Sequence, residues 1–542
     1  MATGLNPIQS PCAEAQALAL VRDHPCAEQA RKWVMLACVL ASSLAFIDGT
    51  IVNVALPELQ KIFSTSVSRV QWVLESYQLF SSALLLVCGA IGDHYGRRRA
   101  LRAGVVIFVS ASIWCGMSPQ ITHLIVARAV QGIGAALLIP ASLSLLASAY
   151  PEDLRGRAIG TWSAWTGVCA ALGPVAGGWL IEHASWRLIF FVNVPVGAAV
   201  LLCLTRVQES RDSETEHAQL DWLGAALITL SLAGLILGLL DAPALGWSAP
   251  RIVGCLVAGG SLLLIFLWVE SRRQNAMMPL RLFHSHNFSA VNALTFLLYG
   301  ALGGALFFLP FYLIQVKHFT ATEAGAAFLP FIVLMFLFSG RVGNLMPRLG
   351  ARPLLVAGPL IAGFGYVLFA LLTSQPGYVR AILPAILVLS IGMTLSVTPL
   401  TTTVLNSVRE QESGVASGVN NAVSRVAALL AIAILGAVLQ ATFSSRLAAN
   451  LRTSKLNTAQ QAEIYSQRGR LLDARLTTAN PATQAETNRV LAESFVSGFR
   501  RVMQISALSC FLGAVIVAIF VQRTNQQPNA AQKRLDAIHS RK

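Results

Sequence analysis

Charge is scarce in this chain: Asp, Glu, Lys and Arg together make up 12% of its 542 residues, about half of what water-exposed domains carry. With 55% hydrophobic residues and a mean hydropathy of +0.62, a soluble fold is excluded. The sequence has no Gly-Lys dipeptide, so a Walker-type phosphate loop and its ATP chemistry are excluded. It also has no metal-ligand cluster. The nearest pair, His284 and His286, falls in a polar linker without partners at useful spacing. None of the nine cysteines forms a close Cys-x-x-Cys pair, and Cys38, Cys88, Cys115, Cys169, Cys203, Cys255 and Cys510 lie in apolar runs. They read as small packing residues. No metal and no cofactor are expected, and any work the protein does must draw on another source of energy.

What is abundant is apolar sequence in runs long enough to cross a bilayer. Spans are predicted near 33–56, 70–91, 100–117, 121–148, 157–180, 187–205 and 221–241. Seven more are predicted near 251–270, 289–315, 324–340, 353–373, 380–403, 413–442 and 500–521. The expected fold is an all-α integral membrane protein of about fourteen transmembrane helices, arranged as two six-helix bundles with two extra helices between them. A polar tail at 1–31 precedes a first bundle at 32–205. A linker region at 206–288 holds the extra pair, and a second bundle at 289–525 precedes a basic tail at 526–542.

The formal charge of +15 does not mark a nucleic-acid surface, because the basic residues follow alternate loops. Arg97, Arg98, Arg99, Arg102, Arg155, Arg157, Arg272 and Arg273 would share one side. By the positive-inside rule both termini are then cytoplasmic. The polar segment at about 443–499 would be external although it is rich in Arg. Long loops can cross regardless of charge, and a helical hairpin, an unstructured loop and a miscounted helix all stay open for it.

Asp48 stands alone in the apolar run from Trp33 to Leu56. An ionised Asp near the bilayer centre costs roughly 2.5–3.5 kcal/mol on insertion scales, so such residues usually line a watery path or carry protons. A carboxyl that only bonds a neighbouring helix is the plainer alternative.

Two loops repeat one pattern. Gly89, Gly92, Gly96 and Arg98 after the second span are echoed by Gly340, Gly343, Gly350 and Arg352 after the tenth. In the first copy Asp93, Arg97 and Arg98 could form a latch present in one conformation only. The segment Cys88–Arg99 closely resembles the cytoplasmic signature of the major facilitator superfamily, with His94 where a basic Arg or Lys is usual. By that resemblance Gly89, Asp93, Gly96, Arg97 and Arg98 form a cytoplasmic gate.

Leu124, Arg128, Gln131, Gly132 and Gly134 in the fourth span resemble the superfamily's signature of a buried Arg with Gly-x-Gly. A guanidinium stays charged, so Arg128 must meet a carboxylate, water or an anionic ligand. Helical rise puts Asp48, Glu75 and Arg128 at similar depth. They are expected to form one proton-coupling cluster, with a static ion pair as the alternative. In the fifth span Gly167, Gly173, Pro174, Gly177 and Gly178 allow close helix packing and a kink. Their pattern resembles the antiporter signature that marks exporters in this superfamily. Gln71-Trp72-Val73, Tyr77, Trp186-Arg187 and Asn193 are also similar to the fourteen-helix drug:proton antiporter branch.

Arg425 in the thirteenth span could belong to that pattern or simply snorkel. Trp162, Trp165, Phe296 and Tyr299 are candidates for a substrate cavity, with lipid anchoring and core packing as rivals.

The resemblance implies a proton-gradient-driven exporter of hydrophobic, cationic compounds in the inner membrane. Its partners would be the bilayer, small amphipathic solutes and protons. The expected unit is a monomer, with membrane-fusion or outer-membrane partners left open. Export of one endogenous metabolite, lipid or siderophore is the nearest rival. A non-transporting sensor or scaffold would call for a recognisable soluble signalling domain, and the 542 residues contain none.

Overall fold

The structure, a computed structural model, describes residues 28–150, 152–209, 221–273, 278–408, 413–477 and 480–522. The first half is built from α1 (Glu28–Ile62), α2 (Val67–Ala83), α3 (Leu85–Tyr95), α4 (Arg97–Met117), α5 (Ile121–Ala149), α6 (Glu152–His183) and α7 (Leu188–Leu204). Two further helices follow, α8 (Trp222–Leu245) and α9 (Pro250–Arg272). The second half comprises α10 (His286–Phe311), α11 (Ala321–Ala326), α12 (Leu329–Leu349), α13 (Ala351–Leu372) and α14 (Leu383–Asn406), then α15 (Ser413–Arg452), α16 (Thr458–Ser466) and α17 (Pro481–Phe520).

Among the described residues, 12 helical segments are long and apolar enough to cross a membrane. The shorter α7 and the broken α2–α3 pair account for the other two of the expected fourteen. Helix is the only way such runs can satisfy their backbone groups in hydrocarbon, which is why Pro57, Pro140, Pro174, Pro310, Pro359 and Pro399 are tolerated inside helices.

The repeated loop is a true structural repeat. Gly96 sits between α3 and α4 at φ 106°, and Gly350 sits between α12 and α13 at φ 80°. Both positions turn the chain through a left-handed backbone that only glycine adopts freely. The two short turns therefore use the same device in each half.

In the first half α5 packs against α2 and α4, while α1 packs against α6 and α7; in the second, α13 packs against α14 and α17, and α10 against α15 and α17. The halves meet along two seams. In one, α6 lies against α11; in the other, α2 lies against α15, and α8 covers the joint. Leu79 from α2, Leu232, Ile236 and Leu240 from α8, and Leu429 and Ala433 from α15 form a single buried cluster there. Helix α8 thus covers the second seam, with α9 packed on α8.

Most of the described residues in the Arg-rich segment at 443–499 are helical, as a helical hairpin requires. Helix α15 continues to Arg452 and α17 begins at Pro481, so both run well past the ends expected at 442 and 500. Side-chain caps explain the outer boundaries. Asn457 accepts from the Gln460 N–H at 2.8 Å, and Asn480 accepts from the Thr483 N–H at 2.8 Å.

Between them the 3-10 turn Arg468–Asp473 folds back over the end of the bundles. Gln60 of α1 donates to the Arg470 carbonyl at 2.6 Å, and Gln440 of α15 donates to the Arg468 carbonyl at 2.8 Å. One glutamine from each half therefore holds the turn. Leu471 at its centre is 1% exposed and adopts φ 51°, a left-handed backbone that costs a non-glycine residue about 1–3 kcal/mol.

Replacing both glutamines, Gln60→Leu with Gln440→Leu, is expected to speed amide hydrogen exchange across residues 466–476 at least about tenfold, since two hydrogen bonds of about 1 kcal/mol each are lost. Exchange at the wild-type rate would mean that the turn is held by other contacts.

Candidate functional site

Asp48 and Arg128 meet in the first half, and both side chains are fully buried. The Arg128 Nη1 donates to Asp48 Oδ2 and, at 2.8 Å, to Gln131 Oε1. Gln131 lies one turn along α5 from Arg128, so one helical face presents both groups. Its amide nitrogen donates at 2.9 Å to the second Asp48 oxygen, Oδ1. Asn193 on α7 donates to the same oxygen at 3.4 Å and to Ser112 of α4 at 2.9 Å.

The guanidinium is further fixed by Nε donating to the Val73 carbonyl at 3.1 Å and by the Tyr77 ring, 4.1 Å from its central carbon. Tyr77 in turn donates to the Ala45 carbonyl at 3.2 Å. Helices α1, α2, α4, α5 and α7 therefore all contribute to one polar node in a dry setting. The approach of α5 to α2 depends on Gly132, where a Cβ would meet the Tyr77 carbonyl at 2.5 Å.

A buried pair such as this survives only because hydrogen bonds absorb what the ion pair alone does not. The carboxylate is surrounded by donors, yet Arg128 Nη2 has no partner among the described residues. The node can therefore accept one more acceptor, a water or a displaced carboxylate, without rebuilding.

Glu75 does not join this node. It is 0% exposed, and neither carboxyl oxygen has a hydrogen-bond partner among the described residues. The reason is helical phase: Val73 and Tyr77 face Arg128, while Glu75 shares the other face of α2 with Gln71 and Leu79. Gln71 donates to the Ile432 carbonyl of α15 at 3.4 Å. Glu75 thus looks into the seam between the halves, and the expected cluster divides into two sites.

The glycine-rich stretch of α6 serves as a packing surface on both sides. A Cβ at Gly173 would meet Thr50 Oγ1 and, at 3.1 Å, the Ile47 carbonyl; one at Gly177 would meet the Ile51 carbonyl at 3.0 Å. The stretch is pressed against the turn of α1 that carries Asp48. Thr50 Oγ1 also donates to the Ala170 carbonyl of α6 at 3.1 Å. Facing the other way, a Cβ at Gly178 would meet the Ala321 carbonyl of α11, and one at Gly325 would meet the Pro174 carbonyl. Glu182 closes this seam by accepting from the Thr322 hydroxyl at 2.6 Å. Gly167, by contrast, faces open space.

That open space is a cavity of about 1170 Å³ between α6 and α12. Thr50, Asn53, Gly167, Pro174, Phe331 and Phe336 are among its lining residues, and the wall is predominantly apolar. Asn53 Oδ1 is buried there without a partner among the described residues. Leu172, Val333, Phe336 and Leu337 line the cavity and stay exposed, so it is open rather than enclosed.

None of the aromatic candidates is on this wall. Trp162 is buried because its Nε1 donates to Ser42 at 3.0 Å. Trp165 is 56% exposed and Phe296 41% exposed, and Tyr299 is half-buried on α10.

At the opposite end from the Leu471 turn, the glycine loop is tied by Glu209. Its Oε1 accepts from the Arg98 N–H at 3.0 Å, and Oε2 lies 3.7 Å from Arg99 Nε. Gly96 leaves room for that carboxylate, which lies 2.6 Å from where a Cβ would stand. Gly89 approaches Pro140 of α5. The side chain of Asp93 lies outside the described residues.

Ser112 and Glu209 carried no sequence signal on their own. Ser112 is one small hydroxyl in an apolar span, and Glu209 follows the span in a polar linker. Only the folded chain brings them to their partners.

Residues 38–432 match the description of the Major Facilitator Superfamily. This chain belongs to that superfamily. Among curated relatives, the multidrug resistance protein Stp of Mycobacterium tuberculosis is 34% identical over 370 residues, covering 68% of each chain. The tetracenomycin C resistance and export protein of Streptomyces glaucescens is 34% identical over 334 residues, or 61% of each. Among solved structures, a bacterial homologue of the human lysosomal transporter Spinster in its inward-facing, unoccupied conformation aligns with a TM-score of 0.62 at 17% identity. That alignment covers 91% of this chain and 98% of the other. The fold of this facilitator is therefore that of a membrane transporter.

Proposed function

We propose that this facilitator exports hydrophobic, cationic compounds across the inner membrane in exchange for protons, by alternating access. The observation that carries the reading is the fully buried Asp48–Arg128 node, one helical turn from Thr50 and Asn53 on the cavity wall. Proton exchange on Asp48 would change what Arg128 must bind, and Gly173, pressed against Ile47 and Thr50, would pass the shift of α1 to α6. Cargo would enter the apolar cavity from the bilayer between α6 and α12, with Asn53 Oδ1 as a polar hook for a cationic head.

On this reading the Gly96 and Gly350 loops and both termini are cytoplasmic, and the Leu471 turn is external. The described conformation is then inward-facing: α6 and α11 close the external side. The Gly89–Arg99 loop, held by Glu209, acts as the cytoplasmic gate, with Asp93 as a further latch residue. The carrier works as a monomer, needs no cofactor beyond the proton gradient and performs no enzymatic chemistry. The names of the curated relatives support drug efflux.

A membrane potential of 100 mV supplies roughly 2.3 kcal/mol per charge moved, enough for a gradient of about fifty-fold. Purified protein in liposomes with an imposed pH gradient is expected to move lipophilic cations against that proton flow and to stop when the gradient is collapsed. Cargo movement indifferent to the gradient, or no movement across a panel of cationic and neutral compounds, would refute the reading.

A further inference from the structure

Two groups in the seam between α2 and α15 lack the partners that their chemistry requires. Glu75 is fully buried, with both carboxyl oxygens unbonded among the described residues. A carboxylate in that state costs several kcal/mol, so the site holds the neutral acid. Across the seam, Arg425 of α15 has no carboxylate or hydrogen-bond partner among the described residues, and its one recorded neighbour is electrostatic, the ring hydroxyl of Tyr77. A guanidinium cannot discharge itself by losing a proton.

The two residues lie on facing stripes. Along α2 the seam stripe is Gln71, Glu75 and Leu79; along α15 it is Arg425, Leu429, Ile432 and Gly436. Gln71 bonds Ile432 near the external end, and Leu79 packs with Leu429 and Ala433 further in. The helices are thus antiparallel, and Arg425 lies one to two turns beyond the level of Glu75. Sliding one helix past the other by a turn, about 5.4 Å, is a known type of switching motion. Such a slide would bring the two side chains together.

We propose that Arg425 is the positioning residue for a second proton site at Glu75. When the Glu75 carboxyl gives its O–H proton to water, the carboxylate left behind is captured by Arg425 across the seam. Reprotonation of Glu75 frees Arg425 and lets the halves move apart. The proposal rests on the proton-exchange reading of this facilitator and adds a site distinct from Asp48.

Other charges that approach α2 are already committed. Asp241 on α8 is paired with Arg251 at 3.5 Å and accepts from Ser68 at 3.5 Å near the external end. Asp48 and Arg128 bind each other on the opposite face of α2. Arg69 lies in the first turn of α2 itself, beside the external Arg470 turn. Helix α8, packed over the seam, presents Leu232, Ile236 and Leu240 to it. Arg425 is therefore the cation available to a deprotonated Glu75.

The test is a charge exchange in reconstituted full-length protein. Glu75→Gln and Arg425→Gln are each expected to slow proton-driven efflux by about tenfold, a barrier change of about 1.4 kcal/mol. Glu75→Arg combined with Arg425→Glu is expected to restore most of the rate and to shift its pH profile. A merely structural ion pair would give the rescue without the shift. A double variant no faster than the slower single one, at equal protein level and with gradient-free cargo exchange intact, would overturn the proposal.

Should the exchange variants fail to insert, Leu79→Cys with Leu429→Cys, on the same two stripes and with Glu75 and Arg425 intact, in a background without the nine native cysteines gives a second measurement. Cross-linking by a short bifunctional thiol reagent is expected to depend on whether the proton gradient is imposed. Identical yield with and without the gradient would count against the slide. This readout needs no cargo, so it stays informative if the exporter reading itself fails. Loss of the exporter reading would show instead as a parental protein whose cargo movement is indifferent to the gradient.

Discussion

Asp48→Asn is expected to reduce proton-driven efflux to the rate seen without a gradient, while the protein still inserts in the membrane. The asparagine keeps the shape and can still accept from Gln131 and Asn193, which hold Oδ1 at 2.9 and 3.4 Å. What it lacks is the charge that Arg128 requires and the carboxyl that a proton can join. Removing one member of a buried pair costs about 3–5 kcal/mol, because the other charge is left uncompensated. The variant should therefore also melt earlier than the parent.

Asp48→Asn combined with Arg128→Gln should regain stability, since no lone charge remains, but not coupling. Thermal unfolding in detergent separates the two effects from transport in liposomes. Gradient-driven efflux at the parental rate in Asp48→Asn would remove this carboxyl from the mechanism.

Gly178→Val is expected to hold the carrier open at its external end and to abolish net export. The Cβ would fall 2.6 Å from the Ala321 carbonyl carbon and 2.8 Å from Thr322 Cα. Both are backbone atoms of a short helix capped by Thr320 and Glu323, so neither can swing aside as a flexible side chain would. Overpacking of this kind costs typically 1–3 kcal/mol, and here the cost falls only on the state in which α6 and α11 touch. Each 1.4 kcal/mol shifts the balance between open and closed forms about tenfold.

A thiol placed at Thr322 should become more accessible to an impermeant reagent in the Gly178→Val protein, and efflux should fall in parallel. Gly260→Ala on α9, where nothing lies within 4 Å, should change neither. An unaltered rate of thiol labelling in Gly178→Val would mean that this contact is not what closes the external side.

The fold class was legible in the chain because hydrocarbon leaves so few choices. Apolar runs must be helices, and turns between them must be short and carry glycine, as Gly96 and Gly350 do at positive φ. Arg128 was legible for the same reason: a permanent charge in an apolar span demands a partner, and Asp48 and Glu75 were the acids at matching depth. The Arg-rich segment was not legible, because hydropathy shows where a span ends in lipid but not where a helix ends in water. Capping by Asn480 decided that for α17.

Depth along a helix follows from counting residues, whereas the direction a side chain faces depends on which neighbours the helix acquires. That difference separates Glu75 from Asp48. Both lie at similar depth, yet a rotation of two residues along α2 sends Tyr77 to Arg128 and Glu75 into the seam. The apolar cavity likewise exists only because α6 and α12 part beyond Pro174, leaving Thr50 and Asn53 on its wall and Trp162 bonded to Ser42. By itself the sequence determined a helical membrane transporter with a charged pair in its first half; the tertiary structure alone decided which groups share a site, because lateral helix packing fixes the facing that linear spacing leaves free.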